Sequence, residues 1–381
     1  MVVELFNPSN DSNDSNDLRE GVAKLCEYYP AAYWEKLDSE KSYPIAFVRA
    51  LAQFRYLSVL IPKEYGGPGL KFSDCAAILE EVHRAGCNAE FCHSQMHTIG
   101  TLLRHSKLPQ KQRWFPRMAS GELRLQAFGV EEMNGDAHAS TVKAFARRAG
   151  DHYVINGKKI WTGRIENSDL MILLARTAPI DRASPKADCF SAFVIDIKAS
   201  CGNGLSIRPI WTTSHPVSEA LFVNLQLPVE NLIGDEGDGL KIILSSINAE
   251  KILVASEYLG DAKWFIQRAS KCARERTAFG RPIWQIQKIQ FSIAKSSSAT
   301  RRADLIVREA ARLYGNEIEC GALANIAKMH AIDAACQAVN SCKRTTESAG
   351  LVEEFEVERK CRERGLHQVA PISTDHAVLD L

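Results

Sequence analysis

At 381 residues, the chain is long enough for two or three domains and a large core. Hydrophobic residues make up 45% of it and charged residues 24%, as in an ordinary globular protein. The formal net charge of +1 gives no electrostatic reason to bind nucleic acid or an anionic membrane. No apolar run approaches the roughly 20 residues that a membrane-spanning helix needs.

Residues 1–17 contain a short Asn/Ser/Asp repeat and no basic amphipathic segment, which predicts a disordered leader rather than a targeting signal. The last residues, HAVLDL, are not a peroxisomal tripeptide. The eleven cysteines form no CxxC pair and no Cys/His cluster with zinc spacing. We therefore expect no metal site, and we interpret the cysteines as buried residues of a cytoplasmic protein.

Three segments of different character follow. Residues 18–125 have apolar residues at helical spacing, interrupted by the turn-forming loop PKEYGGPGL at 62–70. Residues 126–232 contain short β-branched and aromatic runs, and VINGKK predicts a β-hairpin that turns at Asn156-Gly157. Residues 233–381 return to long helical periods. The predicted fold is an α+β multidomain chain with a helical N-terminal domain, a middle β-barrel domain and a C-terminal helical bundle.

The segment SSINAEKILVASEYLGD, residues 245–261, predicts an amphipathic helix that carries Glu250 among apolar residues. A carboxylate in that position is either a salt-bridged surface residue or a base held in a dry site. The helix pattern by itself leaves both interpretations open.

Several motifs occur in a fixed order along the chain: IPKEYGGPGL, FGVEE, YVINGKKIWT, LPVENLIGDEGDGL, RERTAFGRPI and FEVERKCRE. In this order the chain resembles the acyl-CoA dehydrogenase family from about residue 20 to residue 373. The resemblance implies an FAD-dependent oxidoreductase that acts on an acyl-CoA or acyl-carrier thioester. It also implies a homodimer or homotetramer.

In that family a carboxylate removes the α-proton of the thioester while the flavin takes a hydride from the β-carbon. Most members place the base near the C-terminus, where this chain has Pro371. A smaller branch, which includes isovaleryl-CoA dehydrogenase, places it on the first helix of the C-terminal domain. The resemblance therefore implies that Glu250 is the catalytic base, with Lys251 and Ile247 beside the substrate.

The resemblance also implies a set of cofactor-binding residues, namely Phe128, Val130, Trp161, Arg276, Phe279 and Gln287. Five other positions depart from the family pattern: Glu131, Asp136, Gly163, Glu347 and Pro371. Three of them introduce carboxylates along the expected flavin path, where negative charge opposes the diphosphate and flavin reduction. Gly163 removes a hydroxyl that the family directs at the flavin, and Pro371 has no N–H to donate to the thioester oxygen.

Two alternatives stay open beside the dehydrogenase. One is a redox-silent enzyme on the same fold that uses Glu250 for proton transfer alone, as an isomerase, dehydratase or cyclase. The other is a non-catalytic subunit of a related dehydrogenase. His93, His97 and His138 are interpreted as ordinary hydrogen-bonding histidines, since a single histidine on a helix or loop usually has that role.

Overall fold

The computed structural model describes residues 15–90, 92–132, 142–179, 186–211, 216–278, 280–347 and 356–363. In these residues helices come first, strands follow, and helices return, as predicted. The described helices are α1 (Ser15–Glu27), α2 (Ala31–Glu40), α3 (Ile45–Gln53), α4 (Phe72–Arg84), α5 (His93–His105), α6 (Leu108–Ala119), α7 (Ile197–Ser200), α8 (Gly239–Glu275), α9 (Gln287–Gly315), α10 (Gly321–Thr346) and α11 (Glu356–Glu363). Because α1 begins at Ser15, the predicted leader of residues 1–17 overlaps the start of a helix.

The strands of the centre form one eight-stranded sheet within the described residues. They are β1 (Leu125–Gly129), β2 (Phe145–Ala149), β3 (His152–Gly163), β4 (Leu170–Arg176), β5 (Phe190–Asp196), β6 (Leu205–Trp211), β7 (Pro216–Pro228) and β8 (Leu232–Ile233). The order is β6-β7-β3-β2-β4-β5-β8, and β1 pairs with β4 in parallel. A short ribbon, β9 (Thr277–Ala278) and β10 (Arg281–Pro282), joins α8 to α9. The fold class is confirmed, with helical N- and C-terminal parts around a sheet-rich centre.

Strand β4 shows why the centre of the sheet is so apolar. Leu170, Ile172 and Leu174 pack in one apolar cluster with residues of α6. Met171 and Leu173 point to the other face and pack in a second cluster with residues of β3, β5 and β7. Successive side chains of a strand alternate between faces, so a strand buried on both faces must be apolar at every position.

The predicted hairpin at Asn156-Gly157 is wrong. Both residues lie inside β3, which continues to Gly163, and the chain turns instead around Gly150, where φ is 68°. The pairing of β3 with β7 shifts register between Ile155 and Gly157, as at a β-bulge. A Cβ atom on Gly157 would lie 2.5 Å from Cα of Ala144, so close backbone approach, rather than a turn, requires this glycine.

By contact, the described residues form two compact units. The first takes its residues from 1–50, 71–93 and 248–381, and the second from 51–70 and 94–247. Their boundaries differ from the predicted divisions at residues 125 and 232, which stay predictions. None of the described helices combines the length and apolar character needed to cross a bilayer. Most cysteines are buried as expected, but Cys201 is exposed.

Within the first unit, α4 and α8 approach each other closely at Gly260. A Cβ atom there would lie 2.2 Å from the carbonyl oxygen of Glu80 and 2.6 Å from Cβ of His83. Only a glycine permits this contact, because any side chain would collide with the backbone of α4. The close approach brings the polar side chains of α4 against those of α8 in the interior of the unit.

Candidate active site

Helix α8 carries three acidic residues on one stripe of its surface: Glu250, Glu257 and Asp261, at spacings of seven and four residues. The side chains of Glu257 and Asp261 are 1% and 0% exposed, while that of Glu250 is 15% exposed. Carboxylates in a dry interior need cations or hydrogen-bond donors close by. The partners of these three groups therefore define the site.

His93, the first residue of α5, lies between two of these carboxylates. Its Nδ1 atom is 2.9 Å from Oε1 of Glu257, and its Nε2 atom is 4.0 Å from Oε1 of Glu250. The imidazole is buried, with 2% of its side chain exposed. A carboxylate that accepts from Nδ1–H fixes the orientation of the ring, so the other ring nitrogen faces Glu250.

His83 has a different role, which its hydrogen bonds define. The backbone N–H of Ala89 donates to Nε2 at 2.9 Å, so Nδ1 carries the proton and donates to Oδ2 of Asp261 at 2.8 Å. Oδ1 of Asp261 lies 2.6 Å from Nζ of Lys360, which also donates to the carbonyl oxygen of Cys87 at 3.0 Å. These contacts hold α11 and the segment after α4 against α8, and both nitrogens of His83 are engaged in them.

Two buried lysines belong to the surroundings of Glu250: Lys328, which interacts with it electrostatically, and Lys251, the next residue along α8. Lys328 on α10 is fully buried, and Lys251 is 5% exposed. Burial lowers the pKa of Lys328 to about 8, the charge of Glu250 raises it, and the charge of Lys251 lowers it. Glu250 therefore lies among cationic groups from two helices as well as beside the imidazole of His93.

In the second unit, the residues predicted to contact a cofactor are partly open to solvent. Trp161 is 53% exposed and has a φ of 54°, which is rare for a bulky residue. Phe128 and Val130 are half-buried and pack on the apolar cluster that includes α6. A Cβ atom on Gly163 would meet nothing within 4 Å. An exposed indole, an apolar strand and open space are compatible with the face of a flavin.

The segment after β1 is fixed by a buried lysine. Nζ of Lys159 donates to the carbonyl oxygen of Val130 at 3.0 Å and to Glu132 at 2.9 Å. Between these residues, desolvation raises the pKa of the Glu131 carboxyl. Because Glu131 is also exposed, water screens part of this effect. A raised pKa favours the neutral acid, which reduces the repulsion that this position was expected to impose on a reduced flavin.

Arg276 is placed by the residues that end α10. Its Nη1 atom donates to the carbonyl oxygen of Thr346 at 3.2 Å, and its Nη2 atom pairs with the carboxylate of Glu347. Glu347 has a φ of 52°, in the region that favours glycine. Gln287 is exposed at the first position of α9. The guanidinium predicted to reach a cofactor is therefore already paired within the chain.

The remaining predicted positions fall into two groups. Lys251 adjoins Glu250 in the first unit, whereas Ile247 belongs to the second unit and packs there on its apolar cluster. Phe279, Asp136, His138 and Pro371 lie outside the described residues. Within the described residues no group of three or more His, Cys, Asp or Glu side chains could hold a metal ion.

Sequence reasoning did not single out Glu257 or Lys328, and it treated His93 as an ordinary histidine. Glu257 lies on the same helical face as Glu250, in an otherwise apolar stretch, so its spacing was a usable signal. Lys328 and His93 gave no such signal, because nothing local connects α10 or α5 with α8.

Comparison with known proteins identifies the family to which the domains of this chain are similar. Family models for the N-terminal, middle and C-terminal domains of acyl-CoA dehydrogenase match residues 12–122, 127–225 and 237–370. Cyclohex-1-ene-1-carbonyl-CoA dehydrogenase of Syntrophus aciditrophicus is 29% identical over 88% of this chain and 80% of the relative. An acyl-CoA dehydrogenase of Bacillus subtilis is 28% identical, covering 90% and 89%. A glutaryl-coenzyme A dehydrogenase in complex with glutaryl-CoA superimposes with a TM-score of 0.88, at 25% identity, over 97% of this chain and 94% of the other.

Proposed function

Because the chain belongs to the acyl-CoA dehydrogenase family, we propose that it oxidises an acyl thioester across its α and β carbons with Glu250 as the base. Membership of the family makes the chain an oxidoreductase whose cofactor is FAD. The proposal adds the residue that removes the α-proton and the groups that surround it.

The observation that carries the proposal is the difference in exposure along the acidic stripe of α8. Glu257 and Asp261 are sealed in the interior and bonded to histidines, so neither can meet a substrate. Glu250 keeps 15% of its side chain exposed while most of it is shielded from water. A general base must reach the proton that it abstracts, and it works best where water is excluded. Of the three carboxylates, Glu250 alone satisfies both requirements.

The names of the relatives support a proposal for the substrate class. The relative from Syntrophus and the superimposed glutaryl-coenzyme A dehydrogenase are named for coenzyme A thioesters, and we propose a coenzyme A thioester for this chain also. Lys251, next to Glu250 on α8, would lie beside the acyl part. The α-proton would pass to a carboxylate oxygen of Glu250 as the Cα–H bond breaks.

For the cofactor, we propose that Trp161, Phe128 and Val130 of the second unit provide an apolar face. We also propose that Arg276 and Gln287 of the first unit contact a cofactor. When bound, the FAD held there would supply the acceptor for the hydride that leaves the β-carbon. Glu347 competes for Arg276, so the chain would hold the cofactor with one ionic contact weakened. The exposed side chain of Trp161 would lose contact with water when the cofactor binds.

We also propose that the chain is a homodimer or homotetramer that pairs through α9. Trp284, Phe291 and Leu305, which lie just before and along this helix, are 46%, 56% and 67% exposed. Large apolar side chains exposed along one helix are typical of surfaces that another chain covers. Light scattering at micromolar concentration tests this proposal, and a monomer would overturn it.

The variant Glu250→Gln tests the base, because it keeps the shape of the side chain and removes its basicity. Saturated acyl-CoA thioesters of several chain lengths would be mixed with the FAD-loaded enzyme in heavy water. Flavin bleaching and deuterium at the α-carbon are followed together. We expect both rates to fall by about 10²-fold or more in a variant that is still folded. Glu275→Gln, an exposed position on the same helix, is the matched control and should keep the parent rates.

The two readouts separate the proposal from its rivals. If the parent exchanges α-protons through Glu250 but never bleaches the flavin, the chain is a redox-silent enzyme. If the parent does neither, it is a non-catalytic subunit. Equal rates in the parent and in Glu250→Gln would exclude Glu250 as the base.

A further inference from the structure

The buried contacts around Glu250 include more ionisable groups than a base by itself requires. The imidazole of His93 lies between Glu250 and Glu257, at 4.0 Å from one carboxylate and 2.9 Å from the other. Three helices supply the groups, since Glu250 and Glu257 are on α8, His93 begins α5, and Lys328 is on α10. The arrangement raises the question of what the imidazole does for Glu250.

Carboxylates lie on both sides of the His93 ring. A carboxylate on each side stabilises a cation between them, and the imidazole is too buried for water to screen the interaction. In this form Nδ1–H donates to Glu257, and Nε2–H is directed towards Glu250. The same carboxylate that orients the ring also balances its charge, as in a catalytic triad.

His83 offers a comparison on the same stripe. Its Nε2 atom is 4.0 Å from Oε2 of Glu257, similar to the gap between His93 and Glu250. That nitrogen accepts the N–H of Ala89, so it has no proton to offer a carboxylate. His83 is therefore held between Asp261 and Ala89, and of the two histidines only His93 directs a ring nitrogen at Glu250.

We propose that His93, held by Glu257, is a positioning residue that keeps Glu250 ionised and ready to accept the α-proton. This inference rests on the proposed function, in which Glu250 is the base. At rest the imidazolium lies beside the Glu250 carboxylate. When the Cα–H bond breaks and the proton reaches Glu250, the carboxylate becomes neutral and His93 keeps its pairing with Glu257.

The other charged groups near Glu250 must be considered with His93. Lys328 on α10 interacts electrostatically with Glu250, and Lys251 is the next residue on α8. Glu257, two turns further along α8, is an anion that opposes the ionised form of Glu250. Because the His93 imidazole lies 4.0 Å from the Glu250 carboxylate, removal of its charge should have a measurable effect on the protonation of Glu250 even with both lysines present.

The test is the pH profile of α-proton exchange in the FAD-loaded enzyme, measured with a saturated acyl-CoA thioester. The variant His93→Asn places an amide N–H near Nδ1 and so keeps the donor to Glu257, but it cannot carry a charge towards Glu250. We expect the acidic limb of the profile to move to higher pH by about one unit or more. Above that limb the rate should return to within a few-fold of the parent rate, since Glu250 is still present.

A purely structural role for His93 predicts a different result. The rate would then fall by the same factor at every pH, and the limb would stay in place; this result would overturn the inference. His97→Asn is the matched control, because His97 is a buried histidine one turn along α5 whose Nδ1 atom contacts the hydroxyl of Ser246 instead of a carboxylate. The acidic limb of the His97→Asn profile should coincide with that of the parent.

His93→Gln provides a second variant should His93→Asn fail to fold. Its side chain also carries no charge, so the limb should move in the same direction. An unmoved limb in a folded His93→Gln variant would also overturn the inference. The failure of the proposed function looks different from both results, because Glu250→Gln would then exchange α-protons as fast as the parent.

Discussion

The Nζ atom of Lys360 lies 2.6 Å from Oδ1 of Asp261, and neither side chain is exposed to solvent. The two residues are 99 positions apart, on α11 and α8. Lys360 also donates to the carbonyl oxygen of Cys87, and Asp261 accepts from His83. This buried ion pair joins the last described helix to the helix that carries the proposed base.

Removing one partner of this ion pair should destabilise the fold strongly. Lys360→Met leaves a buried carboxylate without its cation, and we expect the free energy of unfolding to fall by about 3–5 kcal/mol. Adding Asp261→Asn removes the unpaired charge of the carboxylate and should restore much of the lost free energy of unfolding. Chemical denaturation of the four proteins of this double-mutant cycle measures the coupling. Arg362→Met, at a half-exposed ion pair on the same helix, is the control and should cost less than about 1 kcal/mol.

The bulge at Gly157 gives a second prediction. Gly157→Ala should lower the free energy of unfolding by about 2–3 kcal/mol, because the new methyl group would collide with Ala144 and the φ of 147° suits only glycine. Gly163→Ala, on the same strand, introduces a methyl group into open space and should stay within about 0.5 kcal/mol of the parent. Equal stabilities of the two variants would show that the close approach of β3 to Ala144 is wrong.

Buried Lys328 should make stability depend on pH in a particular direction. Burial lowers its pKa from the ordinary 10.5 to about 8, so between these values the unfolded chain holds a proton that the folded chain has lost. The contribution of Lys328 to the free energy of unfolding therefore rises with pH between these two values. Below pH 8 the lysine is charged in both states, and its burial costs stability of the order of 3 kcal/mol.

Lys328→Met removes this cost and its pH dependence. The variant should be more stable than the parent at pH 7, and the difference should shrink between about pH 8 and pH 10, as followed by denaturation at several pH values. Lys343→Met, at a half-buried lysine on the same helix, should change neither quantity much. A constant difference between parent and Lys328→Met over this range would contradict the lowered pKa.

The pairing of Arg276 with Glu347 predicts how cofactor affinity can be raised. Glu347→Gly removes the competing carboxylate and relieves the strained φ of 52°, so FAD should dissociate less readily and the fold should become slightly more stable. Equilibrium dialysis of FAD and thermal unfolding measure the two effects. Glu317→Gly, at an exposed glutamate with a similar φ of 59°, should gain stability alone. Unchanged FAD affinity in Glu347→Gly would mean that Arg276 does not contact the cofactor.

The sequence by itself determined the order of the secondary structure and the family. Helical periods, β-branched runs and ordered motifs are carried by neighbouring residues, so they can be recognised without knowing the fold. The same local periodicity placed Glu250 on a helix among apolar residues. The helix predicted over residues 245–261 lies within α8.

Only the tertiary structure decided which groups surround Glu250 and what Gly157 does. His93 and Lys328 reach the acidic stripe from helices that are distant in sequence, and the carboxylates of α8 lie close to them there. Asn156-Gly157 has the composition of a turn, yet the approach of Ala144 makes it a bulge. The surroundings of Glu250 and the role of Gly157 depend on which parts of the chain pack against them and on how much water that packing excludes. The residues next to them in the sequence do not determine either.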